Sequence, residues 1–296
     1  MTTINADGAF KPPQAAQSQR KPGLEKHMQP PSESSKLEAA GQFKEYVGSA
    51  KLKDKAALIT GGDSGIGRAV AVLMAREGAH ISIVYLPEEE EDAQETRRLV
   101  EKEGRECLLF AGDLTRWETC RAAVDAHIQR YRRLNVLVNN ASKQYPCADH
   151  AQIDLAAVED VFRCNILQMM AMAKYALPHL TRGDVILNNA SVLAFRGSAH
   201  MVDYAATKGA IVSFTRSLAL QLEPLGIRVN AVAPGAIWTP IQVDSREAGE
   251  MKGFGSTLPF GRPGAASEVA TSFVFLASAD AAFYSGQVFH CYPLGD

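Results

Sequence analysis

Seven short apolar runs alternate with stretches of helical composition from Lys55 onward. That alternation restricts the fold more than any other feature of the chain. The runs are AALIT (56–60), HISIVY (80–85), ECLLFAGDL (106–114), LNVLVNNAS (134–142), DVILNNAS (184–191), IRVNAVAPG (227–235) and GQVFHCY (286–292). Helices are expected over about 65–77, 88–104, 117–131, 155–180, 203–223 and 266–278. In the second of these, acids come first and bases later, which complements the helix dipole. Strands that are apolar on both faces belong in a parallel sheet covered on both sides. The expected architecture is therefore a single α/β domain over 51–296, a Rossmann-type doubly wound parallel sheet with helices on both faces.

Residues 1–50 read differently. AFKPPQAAQSQRKPGLEKHMQPPSES has five prolines, mixed charge and few large apolar residues. It cannot pack a core alone, so it is either a flexible tail or an arm laid over the folded surface. A formal net charge of −2 suggests neither a nucleic-acid nor an anionic-membrane partner. No apolar stretch is long enough for a transmembrane helix, and the N-terminus lacks a signal-peptide core. Five cysteines with no C-x-x-C spacing suggest neither a disulfide framework nor a zinc site, and no other metal site is expected. A reducing cytoplasm fits best.

In a doubly wound sheet, ligands bind at the carboxyl ends of the strands, near the switch in strand order. The first strand ends at Thr60 and runs straight into GGDSGIG, then a helix. A glycine-rich turn entering a helix offers backbone N–H groups and the positive end of the dipole to an anion, most plausibly a pyrophosphate. No Gly-Lys-Ser/Thr follows, so it is not a P-loop, and Val70 stands where G-x-G-x-x-G needs its third glycine. Further along, Tyr204 and Lys208 sit four apart and so share one helix face. An ammonium beside a phenol lowers its pKa toward the range of general acid–base chemistry. Ser191, 13 residues earlier at a strand end, can point into the same crevice and stabilise charge on a substrate oxygen.

The spacing T-G-x-x-x-G-x-G at Thr60, Gly61, Gly65 and Gly67 resembles that of the short-chain dehydrogenase/reductase family. NNAS (139–142) resembles its N-N-A-G, GDL (112–114) its adenine-side motif and PGAIWTP (234–240) its loop beside the nicotinamide. With the Pro-rich arm, GGDSGIGRA is similar to a subgroup of bacterial stress-type and aldehyde-reductase oxidoreductases. The resemblance implies a catalytic set of Asn165, Ser191, Tyr204 and Lys208, with Asn165 supporting a water chain to the lysine. It implies cofactor contacts from Thr60, Gly61, Ser64, Gly65, Ile66, Gly67, Tyr85, Asp113, Leu114, Asn139, Ala141, Tyr204, Lys208, Pro234, Gly235, Ile237 and Thr239. The implied reaction passes a hydride between a nicotinamide and a carbonyl or alcohol carbon, with Tyr204 handling the proton.

The cofactor is NADP or NAD, and the reading leans to NADP. Tyr85 and Leu86, not an acid, stand at the end of the second strand, and Glu88 to Glu91 read as a helix cap facing water. Substrate-pocket candidates are Gln144, Tyr145, Leu193 and Trp238, with Val192 and Phe195 beside them, and 241–257 reads as a mobile lid. Ser142 replaces the usual glycine, and it either crowds the crevice or only adjusts the loop. The ending CYPLGD also departs from the family. A homotetramer is expected, built on helices 155–180 and 203–223. The competing reading is a dinucleotide-binding regulatory or structural protein with little turnover.

Overall fold

The structure is a computed structural model of the chain, and it describes residues 10–294. Residues 1–9 of the arm and the last two residues of CYPLGD lie outside the described residues.

Seven strands form one parallel sheet: β3 (Ala56–Thr60), β4 (His80–Tyr85), β5 (Cys107–Ala111), β6 (Val136–Asn139), β7 (Val185–Asn189), β8 (Arg228–Pro234) and β9 (Val288–Cys291). Their order is β5-β4-β3-β6-β7-β8-β9. The order reverses at β3, so the turn that follows Thr60 opens at the switch point where such sheets bind ligands. Each strand falls within the run expected for it, because burial on both faces favours apolar sequence in the sheet interior.

Among the described residues, ten α-helices connect the strands: α1 (Gly65–Arg76), α2 (Glu90–Lys102), α3 (Trp117–Tyr131), α4 (Leu155–Phe162), α5 (Gln168–Ala176), α6 (Leu193–Arg196), α7 (Val202–Leu222), α8 (Pro240–Val243), α9 (Ala248–Met251) and α10 (Ala266–Ala277). One face of the sheet packs α1 and α10 through Val70, Leu73, Met74, Val269 and Phe273. The other packs α3, α5 and α7 through Val124, Met172, Leu218 and Leu222. The single helix expected over 155–180 is interrupted between α4 and α5 by a π turn, Arg163–Leu167. No helix of the described residues is long and apolar enough to cross a membrane.

Residues 10–50 of the N-terminal segment lie against the domain. It begins with a region anchored by Phe10 and Met28 against Trp238, Val243 and Met251. It then forms a hairpin of β1 (Lys36–Ala39) and β2 (Gln42–Glu45), turned by Ala40 and Gly41, both with positive φ. Its tightest attachment is Glu25, which is 1% exposed. Glu25 Oε2 accepts from the Gly65 N–H at 2.7 Å and Oε1 from the Ser32 N–H at 2.7 Å. The Arg68 guanidinium lies 3.8 Å from the same carboxylate. In return, Asp92 accepts from the Glu25 and Lys26 N–H groups at 2.7 and 3.0 Å. A carboxylate at the first turn of α1 is favoured by the helix dipole. Buried charge is tolerated here because donors satisfy both oxygens.

Replacing Glu25 with Ala leaves Arg68 under-compensated and two buried N–H groups unpaired. The expected loss is roughly 3 kcal/mol of stability, read from urea unfolding by far-UV circular dichroism. Glu25→Gln keeps an acceptor for Gly65 and is expected to lose less. Wild-type stability in Glu25→Ala would contradict an anchoring role for the arm.

Candidate active site

The glycine turn is shaped by contact as well as by conformation. Gly61 has φ +60 and faces Ala141, where an added Cβ would stand 2.9 Å from the Ala141 Cα. A Cβ on Gly67 would lie 1.8 Å from the Gly61 carbonyl oxygen, so no side chain fits where α1 leaves the turn. Gly67 therefore serves packing and does not line the cleft. The Gly65 N–H, expected to face an anion, is already taken by Glu25.

A cleft of about 420 Å³ runs along the carboxyl ends of the strands. At one end it is lined by Asp63, Ser64, Tyr85, Leu86, Glu89 and the 112–115 segment, and at the other by Ser191, Tyr204 and Lys208. Between them lie Gly61, Gly65, Ile66, Ala141, Pro234, Gly235, Ile237 and Thr239. This elongated lining fits a dinucleotide, with the glycine turn midway. Most of the expected cofactor residues therefore come together.

Besides Gly67, two others do not reach the cleft. Thr60 and Asn139 are both fully buried. Thr60 Oγ1 accepts from the N–H groups of Asn140 and Ala141 at 2.9 and 3.1 Å. Asn139 Nδ2 donates to Asn188 Oδ1 at 2.9 Å. Thr60 braces the strand ends through these bonds, and Asn139 Nδ2 is spent on Asn188 within the protein. Asn140, which the sequence reading did not single out, lines the cleft instead.

Ser191, Tyr204 and Lys208 meet as expected. Lys208 Nζ donates to the Asn189 carbonyl at 2.9 Å and lies 5.2 Å from the centre of the Tyr204 ring. Full burial drives the lysine down to about 7. The Tyr204 hydroxyl goes the other way from the expectation. Burial pushes it up to about 12, and the Ser191 hydroxyl, the Arg246 charge and the Ser142 hydroxyl pull it only partly back. The reason is desolvation: the buried lysine is itself held near neutrality and is turned to Asn189. Asn165 sits in the π turn and is fully buried. Its side chain accepts from the Lys143 N–H at 2.8 Å and donates to the Lys143 carbonyl and Thr207 Oγ1 at 2.9 and 3.1 Å. It ties the loop after β6 to α7, one residue before Lys208.

Only one of the four substrate-pocket candidates lines the cleft, Tyr145. Trp238 is fully buried and its Nε1 donates to the Pro30 carbonyl at 2.9 Å, so it belongs to the core under the arm. Gln144 is buried, donating to Ser245 Oγ at 2.6 Å. Leu193, in α6, is half-buried away from the cleft, Val192 is buried, and Phe195 packs against His290 in a tilted arrangement, with ring centres 4.6 Å apart. The wall beside Tyr204 is more polar than expected. Lys143 and the Tyr145 hydroxyl both meet Asp160, and Lys21 of the arm meets Asp244 at 2.7 Å. Segment 241–257, expected as a lid, carries α8 and α9 and is fastened to the arm. Gln19 N–H donates to Val243 O at 3.0 Å and Gly253 N–H to Pro13 O at 2.7 Å. Sequence reasoning missed Lys21, Pro22 and Gly23 in the cleft wall, because a Pro-rich arm carries no periodic signal. It also placed all of Glu88–Glu91 toward water, whereas Glu89 lines the cleft.

A family model described as enoyl-(acyl carrier protein) reductase matches residues 61–291. The chain belongs to the short-chain dehydrogenase/reductase family. It is 44% identical over 290 residues to glucose and ribitol dehydrogenase of Daucus carota, covering 96% of this chain and 97% of that one. It is 45% identical over 272 residues to NADPH-dependent aldehyde reductase 1, chloroplastic, of Arabidopsis thaliana, covering 89% and 94%. Its structure superposes on a short chain dehydrogenase from Burkholderia cenocepacia J2315 in complex with NADP. There the TM-score is 0.76 and the identity 29%, over 81% of this chain and 97% of that one. This family member is an NAD(P)-dependent oxidoreductase.

The buried lysine makes stability depend on pH. The folded chain releases the Lys208 proton as pH rises through about 7, whereas the unfolded chain holds it to about 10.4. The unfolded state therefore binds more protons between these values, and the penalty of the buried charge, full below pH 7, is relieved as pH climbs. The stability of wild type minus that of Lys208→Met is expected to rise by on the order of 4 kcal/mol from pH 6 to 10, measured by denaturant unfolding without cofactor. A difference that is flat with pH would contradict it.

Proposed function

We propose that Tyr204 is the general acid–base group, that Ser191 holds the substrate oxygen, and that Lys208 positions Tyr204 and the nicotinamide ribose. The observation that carries this reading is the convergence of these three side chains on one wall of the cleft that leads from the glycine turn. When bound, the dinucleotide supplies or accepts the hydride. With its hydroxyl held up near 12, Tyr204 keeps its proton at neutral pH and can donate it to a carbonyl oxygen hydrogen-bonded by Ser191. Asn165 is a positioning residue that holds Thr207, and through it the first turns of α7.

Substrates with several hydroxyls, such as polyols or hydroxy-aldehydes, suit this pocket. Support comes from the polar wall of Ser142, Lys143, Tyr145, Gln242 and Asp244, and from the relative named glucose and ribitol dehydrogenase. A homotetramer remains our proposal for assembly. Exposed Leu155 and Met170 on α4 and α5, and Leu220 on α7, support an interface on these helices.

Tyr204→Phe is expected to bind nicotinamide dinucleotide with near wild-type affinity while turnover of hydroxylated aldehydes falls by roughly a hundredfold to ten-thousandfold. Absorbance of the reduced nicotinamide follows the rate and its fluorescence the binding. Unchanged turnover would remove Tyr204 from the proposed role.

A further inference from the structure

The N-terminal arm contributes a cation to the cleft. Lys21, Pro22 and Gly23 line it. Lys21 reaches both Tyr145 and Asp244. Its Nζ lies 5.0 Å from the centre of the Tyr145 ring and 2.7 Å from Asp244 Oδ1. Both neighbours belong to the catalytic end. The Lys143 backbone, two residues before Tyr145, is tied through Asn165 to Thr207, which precedes Lys208. The charge of Arg246, two residues after Asp244, bears on the Tyr204 hydroxyl.

The loop that carries Lys21 is fastened on both sides. The Gln19 side chain accepts from the Leu24 N–H at 2.8 Å and donates to the Leu24 carbonyl at 3.0 Å, which closes residues 19–24 on themselves. The Gln19 N–H donates to the Val243 carbonyl at 3.0 Å, and the Gly23 N–H donates to Asp244 Oδ2 at 3.0 Å. A Cβ on Gly23 would stand 2.7 Å from the Pro240 carbonyl oxygen, so the loop sits on the start of α8 with no room for a side chain. Lys21 is thereby held in place before a ligand arrives, which lowers the entropy cost of using it.

An ammonium carries three N–H donors. Among the described residues, Asp244 is the one hydrogen-bond acceptor that Lys21 meets. The Lys21 side chain keeps 24% of its surface exposed. Donors therefore remain for a ligand in the cleft. Asp244 is already engaged at both oxygens, by Lys21 and by the Gly23 N–H. Its charge offsets that of the lysine, so the spare donors suit a hydroxyl better than an anion.

We propose that Lys21 is a substrate-binding residue: its ammonium donates to a substrate hydroxyl remote from the reacting carbon, so the arm sets a preference for hydroxylated over plain aldehydes. The proposal rests on the hydroxylated-substrate reading above and adds the group that reads the hydroxyl. Because Lys21 comes from the arm and not from the glycine turn, this recognition is separable from dinucleotide binding.

The test compares D-glyceraldehyde with propanal, which differ only in two hydroxyls, on the full chain with reduced nicotinamide dinucleotide at saturation. Wild type is expected to prefer glyceraldehyde. In Lys21→Met, the KM for glyceraldehyde is expected to rise about tenfold while kcat changes little. The constants for propanal, and dinucleotide binding read by nicotinamide fluorescence, stay as in wild type. Lys21→Arg keeps the charge and the donors and is expected to retain most of the preference. Gln19→Leu leaves Lys21 in the chain but opens its loop, and is expected to lose part of the preference. It decides the matter if Lys21→Met fails to fold. An unchanged glyceraldehyde KM in Lys21→Met would overturn the proposal. So would an equal rise for both aldehydes, which marks a structural role, or an unchanged preference in Gln19→Leu. No preference for glyceraldehyde in wild type, or no turnover of either aldehyde, would instead overturn the hydroxylated-substrate reading.

Discussion

A short polar chain across the carboxyl ends of three strands holds the two halves of the cleft in register. Lys208 Nζ donates to the Asn189 carbonyl at the end of β7, and Asn189 Nδ2 donates to Asn140 Oδ1 at 2.8 Å. Asn140 Nδ2 in turn donates to the Thr60 and Gly61 carbonyls at 3.1 and 2.8 Å. The glycine turn is thus linked through partly buried hydrogen bonds to the lysine beside Tyr204. The parallel sheet permits it, because strand ends at one edge all point toward the same crevice.

The arm closes the outer side of that crevice. Glu25 seats it on the first turn of α1, and Pro30 and Pro13 fasten it to Trp238 and to the segment after α9. Lys21, Pro22 and Gly23 then become cleft wall. A segment unable to form a core by itself gains order by borrowing the core of the domain. Of its apolar residues, Phe10, Met28 and Phe43 are spent on that attachment.

The sheet and its helices were legible in the sequence because buried parallel strands and their covering helices leave continuous apolar runs. The meeting of Ser191, Tyr204 and Lys208 was legible as well, through strand-end position and four-residue spacing. What could not be read was set by tertiary contact. Trp238 looks like a pocket residue until the Pro30 carbonyl claims its indole. The hairpin at Ala40 and Gly41 has a weak turn signal, because alanine rarely takes a positive φ. The π turn around Asn165 has no pattern that separates it from a continuous helix. The rise of the Tyr204 pKa follows from desolvation of the phenol beside the fully buried Lys208, which spacing does not report. The inward turn of Glu89, in a run of four acids, depends on the local path after β4.

The central claim is that a nicotinamide dinucleotide lies along the cleft from Asp63 to Tyr204, over the glycine turn. A crystal structure of the full chain with NADH tests it most directly. The account predicts the adenosine ribose beside Asp63 and Glu89, with the nicotinamide against Tyr204 and Lys208. A dinucleotide bound elsewhere, or lying in the reverse direction, would contradict it.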